Sequence, residues 1–332
     1  ATEPADGNST ITASPTSILV DGSETSLITV TLRNSGFNPV DGKNVVLSLS
    51  GPGELIGSVN PVGSNSGQYT QSMRGNGTTG TTTVSFTVDG TPFSSTTDVV
   101  ITPLPPADAN SDIDPATASI VANGTDTQVV TVTLRDPNDN LVATSAVTMS
   151  TTAGTFVELG QPSGFATNNG DGTYSLTLQS STTLETATVS FEVAGFAPNA
   201  FTSTSTISFV EGPADLASST IDISNTSLVA EGTDTATITI VVTDATGHPI
   251  SGIEGQLAAQ IDPTLASITG FTEDPANPGT YTATLTAGTE LGSSTLTFTI
   301  DGNGPAPDTE TVDFVAGAPN LTLSTLAPTT ST

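Results

Sequence analysis

The chain says nearly the same thing three times. The stretch EPADGNSTITASPTSILVDGSET begins at Glu3, PPADANSDIDPATASIVANGTDT at Pro105 and GPADLASSTIDISNTSLVAEGTDT at Gly212. Two further anchors keep the same period. A Gly-x-Tyr recurs at Gly67–Tyr69, Gly172–Tyr174 and Gly279–Tyr281, and a Phe inside an alternating run recurs at Phe86, Phe191 and Phe298. Tyrosines and phenylalanines alike are 105 and then 107 residues apart. Tandem self-similarity of this kind makes each repeat a structural unit that closes its own core or stacks on its neighbour. It predicts units at 1–104, 105–211 and 212–317, with 318–332 starting a fourth.

Within a repeat the apolar periodicity is two. In SLITVTLR (26–33), Ile28, Val30 and Leu32 share one face while Leu27, Thr29, Thr31 and Arg33 share the other. QVVTVTLR (128–135) and ATITIVVT (236–243) match it. A second family is TTVSFTV (82–88), ATVSFEV (187–193) and STLTFTI (294–300). Its inward sets are Val84, Phe86 and Val88; Val189, Phe191 and Val193; and Leu296, Phe298 and Ile300. Alternation of β-branched and aromatic residues predicts half-buried strands. In the third repeat seven runs are expected, near 219–229, 236–243, 254–260, 265–269, 280–286, 293–300 and 309–315. Gly, Asn, Asp and Pro clusters separate them as turns should. No helical period is present. Seven short strands in such a unit predict an all-β fold: three tandem immunoglobulin-like β-sandwiches, set in line as an elongated rod.

Charge narrows the partners. The chain of 332 residues has 33 acidic side chains against 4 basic ones, a formal charge of −29. The basic residues are Arg33, Lys43, Arg74 and Arg135, and none lies between 212 and 317. Phosphate backbones and anionic lipid surfaces need cations that this chain lacks, so neither nucleic acid nor a membrane surface is an expected partner. No apolar run approaches the ~20 residues that span a bilayer. With no cysteine there is no disulfide, thiolate metal site or cysteine nucleophile, and the Cys–Trp–Cys core of antibody domains is missing. The chain begins at Ala1 and carries no secretion leader, which points to a removed leader or a piece of a longer protein.

The segments TDATGHPISG (243–252) and GTYTATLTAGTELGSSTLTFTIDG (279–302) closely resemble the bacterial Ig-like domain, group 1, of the invasin and intimin type. RNSGFNPVDG with GQYTQSMRGNGTTGTTTVSFTVDG, and RDPNDNLVAT with GTYSLTLQSSTTLETATVSFEVAG, are looser versions. The likeness covers the chain three times over. It implies an extracellular, cell-surface stalk of tandem modules that holds a binding tip away from the cell. The C-terminal lectin-like tip and the outer-membrane barrel of those adhesins have no counterpart here, so receptor binding does not carry over.

Candidate sites are few. His248 is the sole histidine and aligns with Asn38 and Asn140, which makes it a turn residue rather than a general base. One histidine, no cysteine and one lysine assemble no nucleophile, base and orienting group, so no catalytic, cofactor-binding or metal-ligating residue is assigned and no enzyme activity is expected. Gly67 and Tyr69, with Gly172, Tyr174, Gly279 and Tyr281, read as a tight turn followed by a packed ring whose hydroxyl bonds to backbone. Asp108, Asp112 and Asp114 near the first linker, and Glu211, Asp215 and Asp222 near the second, offer hard oxygen ligands for Ca²⁺. Their patterns differ, which favours a solvated acidic surface over a repeated calcium site. Five Asn-x-Ser/Thr sequons, at Asn8, Asn76, Asn123, Asn225 and Asn320, are no more than chance gives in so Ser- and Thr-rich a chain. An isopeptide crosslink in every repeat is excluded, because only the first carries a lysine, Lys43.

The tail APNLTLSTLAPTTST (318–332) is an orphan first strand. It is either the start of a fourth repeat or a donor that adds to a neighbouring copy's sheet. Three functions follow: a stalk or fibre module of a bacterial surface adhesin, a subunit of a filament polymerised through residues 318–332, or a module binding glycan or another surface ligand. A phage or virion decoration protein is another home for the same module.

Overall fold

The computed structural model describes residues 3–319. The first repeat contains β1 (Thr10–Ser14), β2 (Ser17–Leu19), β3 (Thr25–Thr31), β4 (Val45–Ser50), β5 (Glu54–Pro61), β6 (Gln68–Arg74), β7 (Gly80–Val88), β8 (Thr91–Pro92) and β9 (Thr97–Thr102). They form two sheets, β1-β3-β6-β5 and β2-β9-β7-β4, with the short β8 beside β7. All pairings are antiparallel except β2 with β9, which run parallel. The same pair of sheets recurs over residues 112–210 and 220–315.

Alternation along each strand sends apolar side chains between the sheets. Ile28, Val30 and Leu32 are buried, while Leu27 on the opposite face is 46% exposed. The inward triplets Val84, Phe86, Val88; Val189, Phe191, Val193; and Leu296, Phe298, Ile300 are all buried. In the first repeat one core joins both sheets, from Ile11 and Ile28 to Phe86 and Ile101; in the third another runs from Ile221 to Phe314. The chain is all-β, as its periodicity predicts, and its helical turns are three-residue 3₁₀ pieces such as Asp6–Asn8 and Asp108–Asn110.

The first strand differs from the expected single run. In the first repeat it pairs with β3 up to Ser14, breaks at Pro15 and Thr16, and joins the other sheet at Ser17. Residues 112–114 and 117–121 repeat this split around Pro115, and 220–223 and 227–229 repeat it without a proline. The cause is parity. Ile11 and Ile18 are both buried, as are Ile113 with Ile120 and Ile221 with Leu228. Each pair is seven residues apart, so one pleated strand would point the two in opposite directions. Crossing from one sheet to the facing sheet reverses the inward direction and buries both.

Contacts group the described residues into two compact units. One holds residues up to 118, 128–178 and 187–207; the other holds 119–127, 179–186 and 208 onward. The tail proposed as a donor strand lies outside the described residues from Asn320 on, and so does the sequon at Asn320.

Candidate functional site at the linker turns

Each repeat bends through the same five-residue turn after its second long strand: NSGFN (34–38), DPNDN (136–140) and DATGH (244–248). The turn closes by a backbone bond from the first residue's N–H to the fifth residue's carbonyl, at 2.9 Å in all three. Its fourth residue has positive φ: Phe37 at 61°, Asp139 at 68° and Gly247 at 92°. The first side chain caps the turn from inside. Asn34 Oδ1 accepts the N–H groups of Gly36 and Asn38 at 2.9 and 3.1 Å. Asp136 Oδ1 accepts those of Asn138 and Asn140 at 2.8 and 2.9 Å, and Asp244 Oδ1 those of Thr246 and His248 at 2.8 and 2.9 Å. Short Asx side chains do this because their oxygen reaches their own backbone two residues on.

The second oxygen takes the linker. Leu104 donates its N–H to Asp136 Oδ2 at 3.0 Å, and Gly212 donates its N–H to Asp244 Oδ2 at 2.8 Å. Asp136 is fully buried and Asp244 is 2% exposed. The next linker residues are held by backbone: Ala107 N–H meets Arg135 O at 2.8 Å and Asp215 N–H meets Thr243 O at 2.8 Å. A buried serine completes the seat, since Arg135 N–H reaches Ser111 Oγ and Thr243 N–H reaches Ser219 Oγ, both at 3.1 Å. At the N-terminal end Ala5, Arg33 and Ser9 make the same set.

The fifth residue reaches outward. Asn140 Nδ2 donates to Gly77 O at 3.2 Å, and its Oδ1 lies 3.4 Å from Thr79 N–H. His248 takes that role in the third repeat. Its Nδ1 lies 3.0 Å from Asp244 Oδ2 and 2.9 Å from Thr246 Oγ1, and its Nε2 lies 2.9 Å from Thr182 O. Burial alone would raise the Asp244 carboxyl, but bonds from Gly212, Thr246 and His248 outweigh it and hold the group far below the usual carboxylate range. The bond to Asp244 pushes His248 up, with help from the Thr182 carbonyl and the nearby Glu211, against partial burial. A shallow cleft of about 230 Å³ opens beside this seat, lined by Val121, Asp126, Pro213, Asp215, Asp244 and Thr246 among others.

His248 thus sits in a turn, as its alignment predicts, but both its ring nitrogens are engaged. The linker acids do not converge. Asp108 accepts Thr202 N–H at 2.7 Å, Asp215 accepts Ser218 N–H at 2.9 Å, and Asp112, Asp114 and Asp222 are exposed on strands. Among the described residues no three His, Asp or Glu side chains are grouped as a metal ion would need. Lys43 pairs with Glu3 and Asp89 at 2.7 and 2.9 Å. Of the sequons, Asn8 and Asn123 spend their amides on Asn34 O and Asp126, while Asn76 and Asn225 are exposed.

The Gly-Tyr pairs build the floor beneath the turn. Gly67, Gly172 and Gly279 have φ of 64°, 90° and 76°, and a Cβ there would meet Leu32 O, Leu141 Cβ and Pro249 Cβ at 2.4, 2.7 and 2.7 Å. The tyrosine rings are buried. Each hydroxyl donates to a carbonyl (Val40, Val142 or Ile250) and accepts an N–H (Lys43, Ser145 or Ile253). Sequence reasoning anticipated this. It missed Asp136 and Asp244, although an Asx four residues before Asn38, Asn140 and His248 in every repeat marks them.

Comparisons with known proteins agree with this architecture. Among the described residues no helix is long and apolar enough to cross a membrane. The inverse autotransporter adhesin YeeJ of Escherichia coli K12 is 27% identical over 98% of this chain, which spans 14% of that protein's length. The solved structure of the Escherichia coli adhesin FdeC superposes with a TM-score of 0.73 at 22% identity, covering 95% of this chain and 99% of that one, and so shares the fold. Invasin, a bacterial integrin-binding protein, superposes at 0.56 with 25% identity over 93% of this chain and 60% of that one. The family model of invasin domain 3 matches three times, at residues 5–104, 107–212 and 215–317, and the chain therefore belongs to the invasin domain 3 family of tandem bacterial Ig-like repeats.

Proposed function

We propose that the chain is a non-enzymatic stalk segment of a bacterial surface adhesin, extracellular and built to carry force and reach rather than chemistry. The observation that carries this reading is the linker seat. At both linkers a buried carboxylate and a strand-end carbonyl grip two backbone N–H groups three residues apart, so the chain enters each following sandwich through bonds to its backbone. Both carboxylates are buried, and a hydrogen bond to a buried charged acceptor is a strong one. In this reading the mechanical elements are the three repeats, 1–104, 105–211 and 212–317. The relatives named as adhesins support the setting. The one histidine has both nitrogens committed and the Thr246 hydroxyl is spent on Asp244, which leaves no free base or nucleophile in the turn.

Single-molecule pulling on the intact chain tests this. Three separate unfolding events are expected, each releasing roughly 330 Å, the extended length of one repeat less its folded span. One merged event, or extension without discrete events, would overturn the reading.

A further inference from the structure

The two linker turns share their capping Asp and its linker bond but differ at the outward-reaching residue. Asn140 offers an amide, which keeps the same donor at any pH. His248 offers a ring whose donors depend on its protons. Around that ring every partner is an acceptor. The Thr182 carbonyl can only accept, at 2.9 Å from Nε2, and the Asp244 carboxylate accepts at 3.0 Å from Nδ1. The Thr246 hydroxyl donates its own proton to Asp244 Oδ1 at 2.7 Å, so toward Nδ1 it also presents a lone pair. Satisfying all of them takes N–H on both ring nitrogens, which is the imidazolium. In a neutral ring that keeps its bond to Asp244, the Nε2 lone pair faces the Thr182 carbonyl oxygen and repels it.

Two neighbouring acids favour the cation, and no neighbouring segment opposes it with a base. The turn brings Asp244 and the linker brings Glu211. In 179–186 the ionisable side chain is Glu185, which accepts from Ser181 Oγ at 2.5 Å. In 119–127 it is Asp126, which accepts from Val121 N–H and Asn123 Nδ2. None of these segments contributes a Lys or Arg.

We propose that His248 is a proton-operated latch: as imidazolium it fastens the 181–183 loop to the 244–248 turn, and on losing its Nε2 proton it lets that loop go. The Asn140 contact with Gly77 and Thr79 has no such switch, so one linker turn responds to acidity and the other does not. Linkage sets the sign. A group bound more tightly when protonated contributes fully below its ordinary value of 6.5 and loses that contribution as pH rises through its higher folded value. The latch is closed in mild acid and opens toward alkaline pH.

The single histidine makes the test direct. In the full chain labelled with ¹⁵N-histidine, both ring nitrogens should be protonated at mildly acidic pH, with a titration midpoint above 6.5. Thr183 donates its N–H to Ser181 Oγ within the latched loop, so its amide reports closure. After correction for intrinsic exchange, Thr183 protection should fall as the ring deprotonates, by about tenfold for each unit of upward shift in the midpoint. His248→Asn, which copies the first turn, should keep protection and remove its pH dependence. His248→Ala should lose protection at every pH while the Thr79 amide, beside Asn140, stays unchanged. A midpoint at or below 6.5, or Thr183 protection indifferent to ring protonation and to His248→Ala, would overturn the proposal.

Discussion

The fully buried carboxylate of Asp136 accepts the backbone N–H of Leu104, 32 positions earlier in the chain, at 3.0 Å. The same arrangement ties Asp244 to Gly212, also 32 positions apart, at 2.8 Å. A negative charge at this depth is tolerable only because several N–H groups converge on it. The linker is thereby part of the fold it leads into.

Asp136→Ala should strip partners from three N–H groups at once, those of Leu104, Asn138 and Asn140. A loss of roughly 3 kcal/mol is expected, with faster amide exchange at Leu104; Asp136→Asn should cost about 2 kcal/mol, because its Oδ1 can keep the turn bonds that Asn34 makes in the first repeat while its amide N–H is set against the Leu104 N–H. Asp244 adds a pH dependence. Its folded titration is depressed, so its contribution is complete above the ordinary value of 3.8 and disappears as pH falls far below it. Denaturant unfolding followed down an acid series should show that limb in the native chain and lose it in Asp244→Asn.

Replacing each buried tyrosine by phenylalanine should rank the three repeats. Tyr281 donates to Ile250 O at 2.8 Å, Tyr174 to Val142 O at 3.0 Å and Tyr69 to Val40 O at 3.4 Å. Each loss leaves a buried carbonyl and N–H short of a partner, at about 1 kcal/mol for a typical bond. Calorimetry should show Tyr281→Phe as the most damaging and Tyr69→Phe as the least; the reverse order would separate hydroxyl geometry from stability here.

Two glycines of similar backbone shape should respond differently to alanine. Gly279 has φ of 76° with Pro249 Cβ and Val242 O at 2.7 and 2.9 Å from a built Cβ, whereas Gly247 has φ of 92° with nothing within 4 Å. Gly247→Ala bears the left-handed backbone cost, about 1 kcal/mol. Gly279→Ala adds a clash with backbone that cannot turn aside, and a loss of at least about 2 kcal/mol is expected in thermal unfolding.

Period-two alternation is a local property of neighbouring side chains, so the strands, their inward faces and the all-β class were legible along the chain. The threefold repeat and the Gly-Tyr floor were legible for the same reason, since each recurs with its chemistry intact. The strand switch at Pro15 was half legible: the odd spacing of Ile11 and Ile18 signals a reversal of facing, but only the presence of a second sheet says where the strand goes. Partnerships across long sequence gaps were not legible at all. Nothing near His248 in the chain mentions Thr182, 66 positions away, and nothing near Leu104 mentions Asp136 as its acceptor. Composition and spacing decide what a residue can bond to; folding decides which backbone groups are brought close and cut off from water, and that closeness turned an ordinary turn residue into a linker clasp.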